Sequence, residues 1–176
     1  KVTGWMRPNL NSFGSIARKN SGTIEDCIFS GTISKVSTVT GGIVGENYGK
    51  ILRCTLGQGT EIDVISYENN KNKGTIHVGG IAGINYGEIK GEDTTITGIT
   101  IKNAQSYLGG IVGENWGLVS GWTVKDSYIC TINPMDVWPT DSTLVYNWAG
   151  GIVGYNKEGA TVTNCVFEDS SVGDDK

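Results

Sequence analysis

The phrase GGIVGENYG at 41–49 returns as GGIAGINYG at 79–87, GGIVGENWG at 109–117 and GGIVGYNKEG at 150–159, with a weaker copy, GSIARKNSG, at 14–22. Self-similarity from near the start of the chain to near its end marks a repeat architecture, in which each unit buries a face against the next. The second glycine of the full copies falls at Gly42, Gly80, Gly110 and Gly151, giving intervals of 38, 30 and 41 residues, with 27 from the degenerate Ser15 to Gly42. A fixed phrase with an irregular period suits units of constant cross-section whose insertions bulge outward as loops.

Between the phrases the chain is rich in Val, Ile and Thr broken by Gly, as in TISKVSTVT at 32–40 and TTITGITI at 94–101. That is strand chemistry punctuated by turns, and helical repeats fit it badly. Glycine supplies 27 of 176 residues, about twice the usual share, while three prolines and no triplet period exclude a collagen-like helix. No apolar run reaches membrane-span length, no charged-then-apolar leader opens the chain and no initiator Met begins it, so a segment of a longer precursor is expected. The formal charge is −4 and no window gathers Lys and Arg into a stripe, which removes the electrostatic footprint of a nucleic-acid binder. The densest charge runs, ENNKNKG at 68–74 and GDDK at 173–176, read as a solvated loop and a tail.

Aligning the copies gives each position a task. Asn20, Asn47, Asn85, Asn115 and Asn156 share one column, followed by Gly22, Gly49, Gly87, Gly117 and Gly159. Asn tolerates a left-handed backbone and Gly adopts it freely, so Asn-x-Gly is expected to close a strand-to-strand corner. Stacked about 4.8 Å apart, the Asn amides are placed to bond one another as a ladder. Ile16, Ile43, Ile81, Ile111 and Ile152 form a core column. Beyond the turn, Cys27, Cys54, Glu92, Trp122 and Cys165 share a third column, with Cys130 outside it. There is no CxxC and the lone His77 is far from any cysteine in sequence, so buried free thiols are expected in place of a metal site or disulfides.

GGIVGENYGKILRC, GGIAGINYGEIKG and GGIVGYNKEGATVTNC resemble the GLUG motif, over roughly residues 14–170. This glycine-rich repeat occurs in large secreted and wall-attached bacterial proteins, including N-terminal regions of immunoglobulin A1-specific metallopeptidases and adhesin-like proteins. The resemblance implies a right-handed parallel β-helix in an extracellular multidomain protein. It does not carry peptidase chemistry across: the zinc motif needs two histidines four apart, and this chain has one, in TIHVG.

Other catalytic schemes find little support. Glycosidases and lyases need clustered carboxylates or a base in one groove, and Asp136 and Asp141 read as loop acids. His77 precedes a Gly-Gly pair in a column with Val39, Tyr107 and Trp148, which predicts a histidine packed at a coil edge. GGIVGEN lacks the Lys-Ser/Thr step of a phosphate loop.

The aromatics are unevenly distributed. Trp116, Trp122, Trp138 and Trp148 lie within 33 residues, with Tyr128 and Tyr146 among them and Tyr155 close after. Trp122 sits in the cysteine column and is expected in the core. Trp138 lies in CTINPMDVWPTDSTLVYNW at 130–148, the longest departure from the template; such an insertion either carries a binding site or covers the end of the stack. Tyr48, Tyr86 and Trp116 occupy the position between Asn and Gly in consecutive copies, forming either a sugar platform or a stack that stabilises the turns.

The expectation is therefore an all-β, single-domain chain, residues 1–176: a right-handed parallel β-helix (β-solenoid) of about five coils. Its repeats start near 14, 41, 79, 109 and 150, with an outward insertion at 125–148 in the C-terminal third. The expected role is a non-catalytic binding module of a bacterial extracellular or cell-wall-attached protein, monomeric in isolation, without cofactor or metal and without nucleic-acid or membrane partners. It is expected to recognise a glycan or host glycoprotein through Trp138, Trp148, Tyr146, Trp116, Tyr86 and Tyr48, with Asp136 and Asp141. The alternatives are a structural stalk and a polysaccharide-degrading enzyme.

Overall fold

A computed structural model describes residues 1–6, 11–34, 38–64, 75–103, 106–131 and 148–174. All regular structure among them is β-strand, and the paired strands run parallel in four sheets. The first sheet contains Ser12–Gly14, Val39–Gly41, Ile76–Gly79, Ser106–Gly109 and Trp148–Gly150; the second contains Ala17–Asn20, Val44–Asn47, Ala82–Asn85, Val112–Asn115 and Val153–Asn156. Thr23–Glu25, Lys50–Leu52, Glu88–Thr97, Leu118–Lys125 and Thr161–Thr163 make the third, with Val166–Glu168 also pairing Leu118–Lys125. The fourth joins Val2–Met6, Ile28–Ser34, Glu61–Asp63, Thr100–Asn103, Tyr128–Thr131 and Ser171–Asp174, with Thr55–Leu56 beside Ile28–Ser34. Each copy of the repeat thus supplies one row, and the chain visits the sheets in the same order every time.

Register follows the repeat. Ala17, Val44, Ala82, Val112 and Val153 align across the second sheet, and Ile24, Ile51, Ile89, Val119 and Val162 across the third. Ile33, Ile62, Ile101 and Ile129 align across the fourth. Like side chains therefore stack on like, and the stacked columns form the core. Ile43, Ile81 and Ile111 are completely buried, as the repeat predicts, each contributing about 1.5–3 kcal/mol. Ile16 and Ile152 belong to the outer rows and are half-buried.

The asparagine ladder forms throughout. Asn20, Asn47, Asn85 and Asn115 each donate from Nδ2 to Oδ1 of the next asparagine at 2.8 Å, ending on Asn156. The backbone explanation of the adjoining glycines changes, however. None of the five asparagines has a positive φ, and of the glycines that follow only Gly159 does, at 82°. A Cβ on Gly49, Gly87 or Gly117 would run into the carbonyl oxygen of Gly22, Gly49 or Gly87 respectively. These glycines are needed because adjacent rows touch backbone to backbone, not because the turn is left-handed.

Left-handed residues stand instead just after third-sheet strands at Asp26 (φ 52°), Arg53 (φ 47°) and Asn164 (φ 52°), and within Leu118–Lys125 at Gly121 (φ 70°). In the third row, Glu92 (φ 49°) and Asp93 (φ 68°) do so as an inserted pair. The register runs from Lys90↔Ser120 to Thr94↔Trp122, so two extra residues loop out and Thr94, not Glu92, occupies the column with Trp122. Glu92 is exposed and bonds Arg53, which also binds Asp26 and Glu25.

Trp122 is core, as expected. Cys27, Cys54 and Cys165 are free thiols, but only Cys54 of the three is buried; Cys27 and Cys165 are half-buried. Burial pushes the Cys54 thiol up to about 11. Lys125 and residues 128–131 keep their places in the third and fourth sheets, so the departure from the template begins later than the spacing predicts.

Candidate functional site

Three outward columns of neighbouring strands make one aromatic face. Val39, His77, Tyr107 and Trp148 align across the first sheet, and Lys19, Glu46, Ile84, Glu114 and Tyr155 across the second. Tyr48, Tyr86, Trp116 and Lys157 follow the ladder asparagines. Because strand side chains alternate, residues adjacent to an inward asparagine point outward in every row.

The turn residues form a closed stack. Tyr48 and Tyr86 lie 4.7 Å apart with 18° between their planes, and Tyr86 and Trp116 6.0 Å apart with 26°. The Lys19 ammonium sits 4.2 Å from the Tyr48 ring centre and the Lys157 ammonium 4.6 Å from that of Trp116. Since Tyr86 takes the other side of each ring, the sandwich runs Lys19, Tyr48, Tyr86, Trp116, Lys157. Although Tyr48, Tyr86 and Trp116 are 44, 41 and 49 % exposed, they turn their edges to solvent and their faces to one another. A sugar ring stacks on a face, so this strip has the geometry of turn stabilisation.

Trp148 differs. It is 47 % exposed, meets Tyr107 edge-on at 80° and 6.4 Å, and lies tilted at 49° to Tyr155 at 5.3 Å. Among the described residues no ring lies parallel to it and no ammonium covers it. Tyr107 and Tyr155, 5.0 Å apart, complete the cluster.

Polar groups converge beneath these rings. Glu114, only 7 % exposed, places Oε1 3.0 Å from Lys157 Nζ and Oε2 3.1 Å from His77 Nδ1. The histidine contact does not meet hydrogen-bond geometry, leaving Nδ1 without a bonded partner among the described residues. Burial holds the His77 pKa below its ordinary value, with Lys157 adding to the effect and Glu114 opposing it. The hydrogen bond to Glu114 raises the Lys157 pKa. Lys157 also lies 4.5 Å from the Tyr155 ring centre, so this one side chain joins the turn stack to the Trp148 cluster. His77 packs edge-on against Tyr107 at 5.2 Å, in the column its sequence position predicts.

Glu46 and Glu114 share this face with Ile84 between them. Two strand spacings put them about 9.5 Å apart, at the far limit for an inverting carboxylate pair. Glu114, however, is closed beneath Lys157 and His77, and Glu46 accepts a 3.2 Å hydrogen bond from the Tyr48 hydroxyl. Both carboxylates are thus already engaged by neighbouring side chains. Among the described residues, no group of three or more His, Cys, Asp and Glu side chains is placed to hold a metal ion.

Of the residues singled out by sequence, Trp148, Trp116, Tyr86 and Tyr48 lie on this face; Trp138, Tyr146, Asp136 and Asp141 lie outside the described residues. Glu114, Lys157, Tyr155 and Tyr107 were missed as site residues. The signal was present in the alignment: Tyr107 and Trp148 share the His77 column, and Tyr155 and Lys157 flank the last ladder asparagine. No family model, curated protein or solved structure matches the chain.

Proposed function

We propose that this chain is a right-handed parallel β-helix of about five coils acting as a non-catalytic glycan-binding module of a bacterial extracellular protein. Parallel rows visited in fixed cyclic order support the helix, and its hand follows from the strong right-handed preference of parallel crossovers. The bacterial surface placement rests on the GLUG-like repeat.

The observation that carries the binding role is Trp148, an exposed indole whose face no ring or ammonium covers among the described residues; Tyr107 and Tyr155 flank it, and these in turn contact His77 and Lys157, which share Glu114. An apolar platform with a few convergent polar groups is the usual composition of a saccharide site. The ligand is a free glycan or the glycan of a host glycoprotein. A glycan array probed with the purified domain tests this: saturable signal on a related group of glycans is the expected result. Silence across plant, mucin and bacterial-wall glycans from a folded protein would contradict it. That outcome would favour the stalk, which the uninterrupted asparagine ladder and the closed Lys-aromatic sandwich support in their own right.

A further inference from the structure

We infer that the saccharide taken by the Trp148 surface is uncharged, lacking carboxylate and sulfate groups. The inference rests on the reading of that surface as a glycan site and concerns what its charges allow. Among the described residues, two lysines and two glutamates stand in the columns of this face, equal in number. Lys157 is held 3.0 Å from Glu114 and seated over Trp116 and Tyr155. Lys19 stands in register with Glu46 on the neighbouring strand and is seated over Tyr48. His77 is half-buried beside Glu114 and Tyr107, and its pKa is lowered, so at neutral pH it adds no positive charge.

Among the described residues, no lysine or arginine other than Lys19 and Lys157 stands in the three columns of this face. Residues 132–147, which lead directly to it, contain Asp136 and Asp141 but no Lys, Arg or His, and Glu158 follows Lys157. An anionic sugar would surrender its hydration here without an unpaired cation, among the described residues, to replace it. Burying a charge without a partner is strongly unfavourable. A neutral pyranose meets no such cost: its C–H face lies on the indole and its hydroxyls reach the polar groups around the rings.

The test compares matched oligosaccharides, each neutral glycan beside its sialylated, uronate or sulfated counterpart, titrated into the intact domain. Repeating the titrations at about 50 and about 500 mM NaCl separates Coulombic from stacking contributions, because exposed charge interactions are screened over that range. The neutral member is expected to bind about tenfold more tightly or better, with a Kd that moves by less than about twofold with salt. A preference for the acidic member, or a steep loss of affinity in salt, overturns the inference while leaving glycan binding intact. Absence of binding by either member overturns the glycan reading itself, and the inference with it.

Glu114→Gln provides a second arm, with circular dichroism establishing that the variant folds. It leaves Lys157 unpaired and adds one positive charge to the face, so the discrimination against acidic glycans should narrow by about threefold or more. An unchanged ratio in a folded variant would overturn the charge argument. If the variant does not fold, the wild-type comparison still decides.

Discussion

Thr40 shows how the stack treats a misfit side chain. It aligns with Phe13 and Val78 in the first sheet, is completely buried, and its hydroxyl has no hydrogen-bond partner among the described residues. Thr40→Val keeps the shape and removes the orphaned polar atom, so it should stabilise the protein by about 1 kcal/mol, read as an upward shift of the urea midpoint. His77 works in the opposite direction as pH falls. Its folded pKa is lowered from an ordinary value of 6.5, so the unfolded chain takes up the proton first. Stability is therefore full above pH 6.5 and declines as the pH drops toward the folded pKa. A melting curve series from pH 7.5 to about 5 should show this decline in the wild type and a shallower one in His77→Gln; parallel slopes would contradict it. Such effects were only partly legible in the sequence. The asparagine ladder and isoleucine column could be read from identity and spacing alone, whereas the pairing of Glu114 with His77 and Lys157 joins residues of three rows and has no sequence period.

At the scale of the strand and its turn, the glycines after the ladder asparagines separate two explanations that the repeat phrase alone could not. A left-handed turn would make every Asn-x-Gly glycine sensitive to substitution, while contact between rows makes sensitivity depend on position. A Cβ on Gly22 meets nothing within 4 Å, but one on Gly87 would strike the backbone of Gly49 and Tyr48. Gly87→Ala should therefore cost about 1–3 kcal/mol and weaken the near-ultraviolet dichroism of the Tyr48–Tyr86 stack. Gly22→Ala should be neutral, or stabilising by up to about 1 kcal/mol through the unfolded chain. Equal losses from the two substitutions would restore the left-handed explanation. The third column teaches a related lesson: counting from the glycine assigns Glu92 to it, because two looped-out residues at the bend leave the surrounding strand pattern unbroken.

Across the whole molecule, burial is graded along the stack. The columns of the second to fourth rows are completely buried at Ile43, Ile81, Ile111, Val44 and Val112, while residues 161–169 of the last row are exposed or half-buried throughout. Stacked repeats draw stability from both neighbours, so amide hydrogen exchange should be slowest at 78–85 and 108–115 and fastest at 161–174. Uniform protection would argue against row-by-row stability. The same scale governs function. The sequence set Trp148, at the end of the 130–148 insertion, apart from the Tyr48, Tyr86, Trp116 turn strip, but only the spatial arrangement separates a closed stack with covered faces from an indole that no ring or ammonium covers among the described residues. The central claim, that the face of Trp148 and not the turn strip holds a glycan, is tested most directly by isothermal titration of the best array ligand against Trp148→Ala and Tyr48→Ala. Loss of about 2 kcal/mol or more of binding free energy in the first variant, with the second within about twofold of wild type in Kd, is predicted. Retained binding in Trp148→Ala, or loss only in Tyr48→Ala, would contradict it.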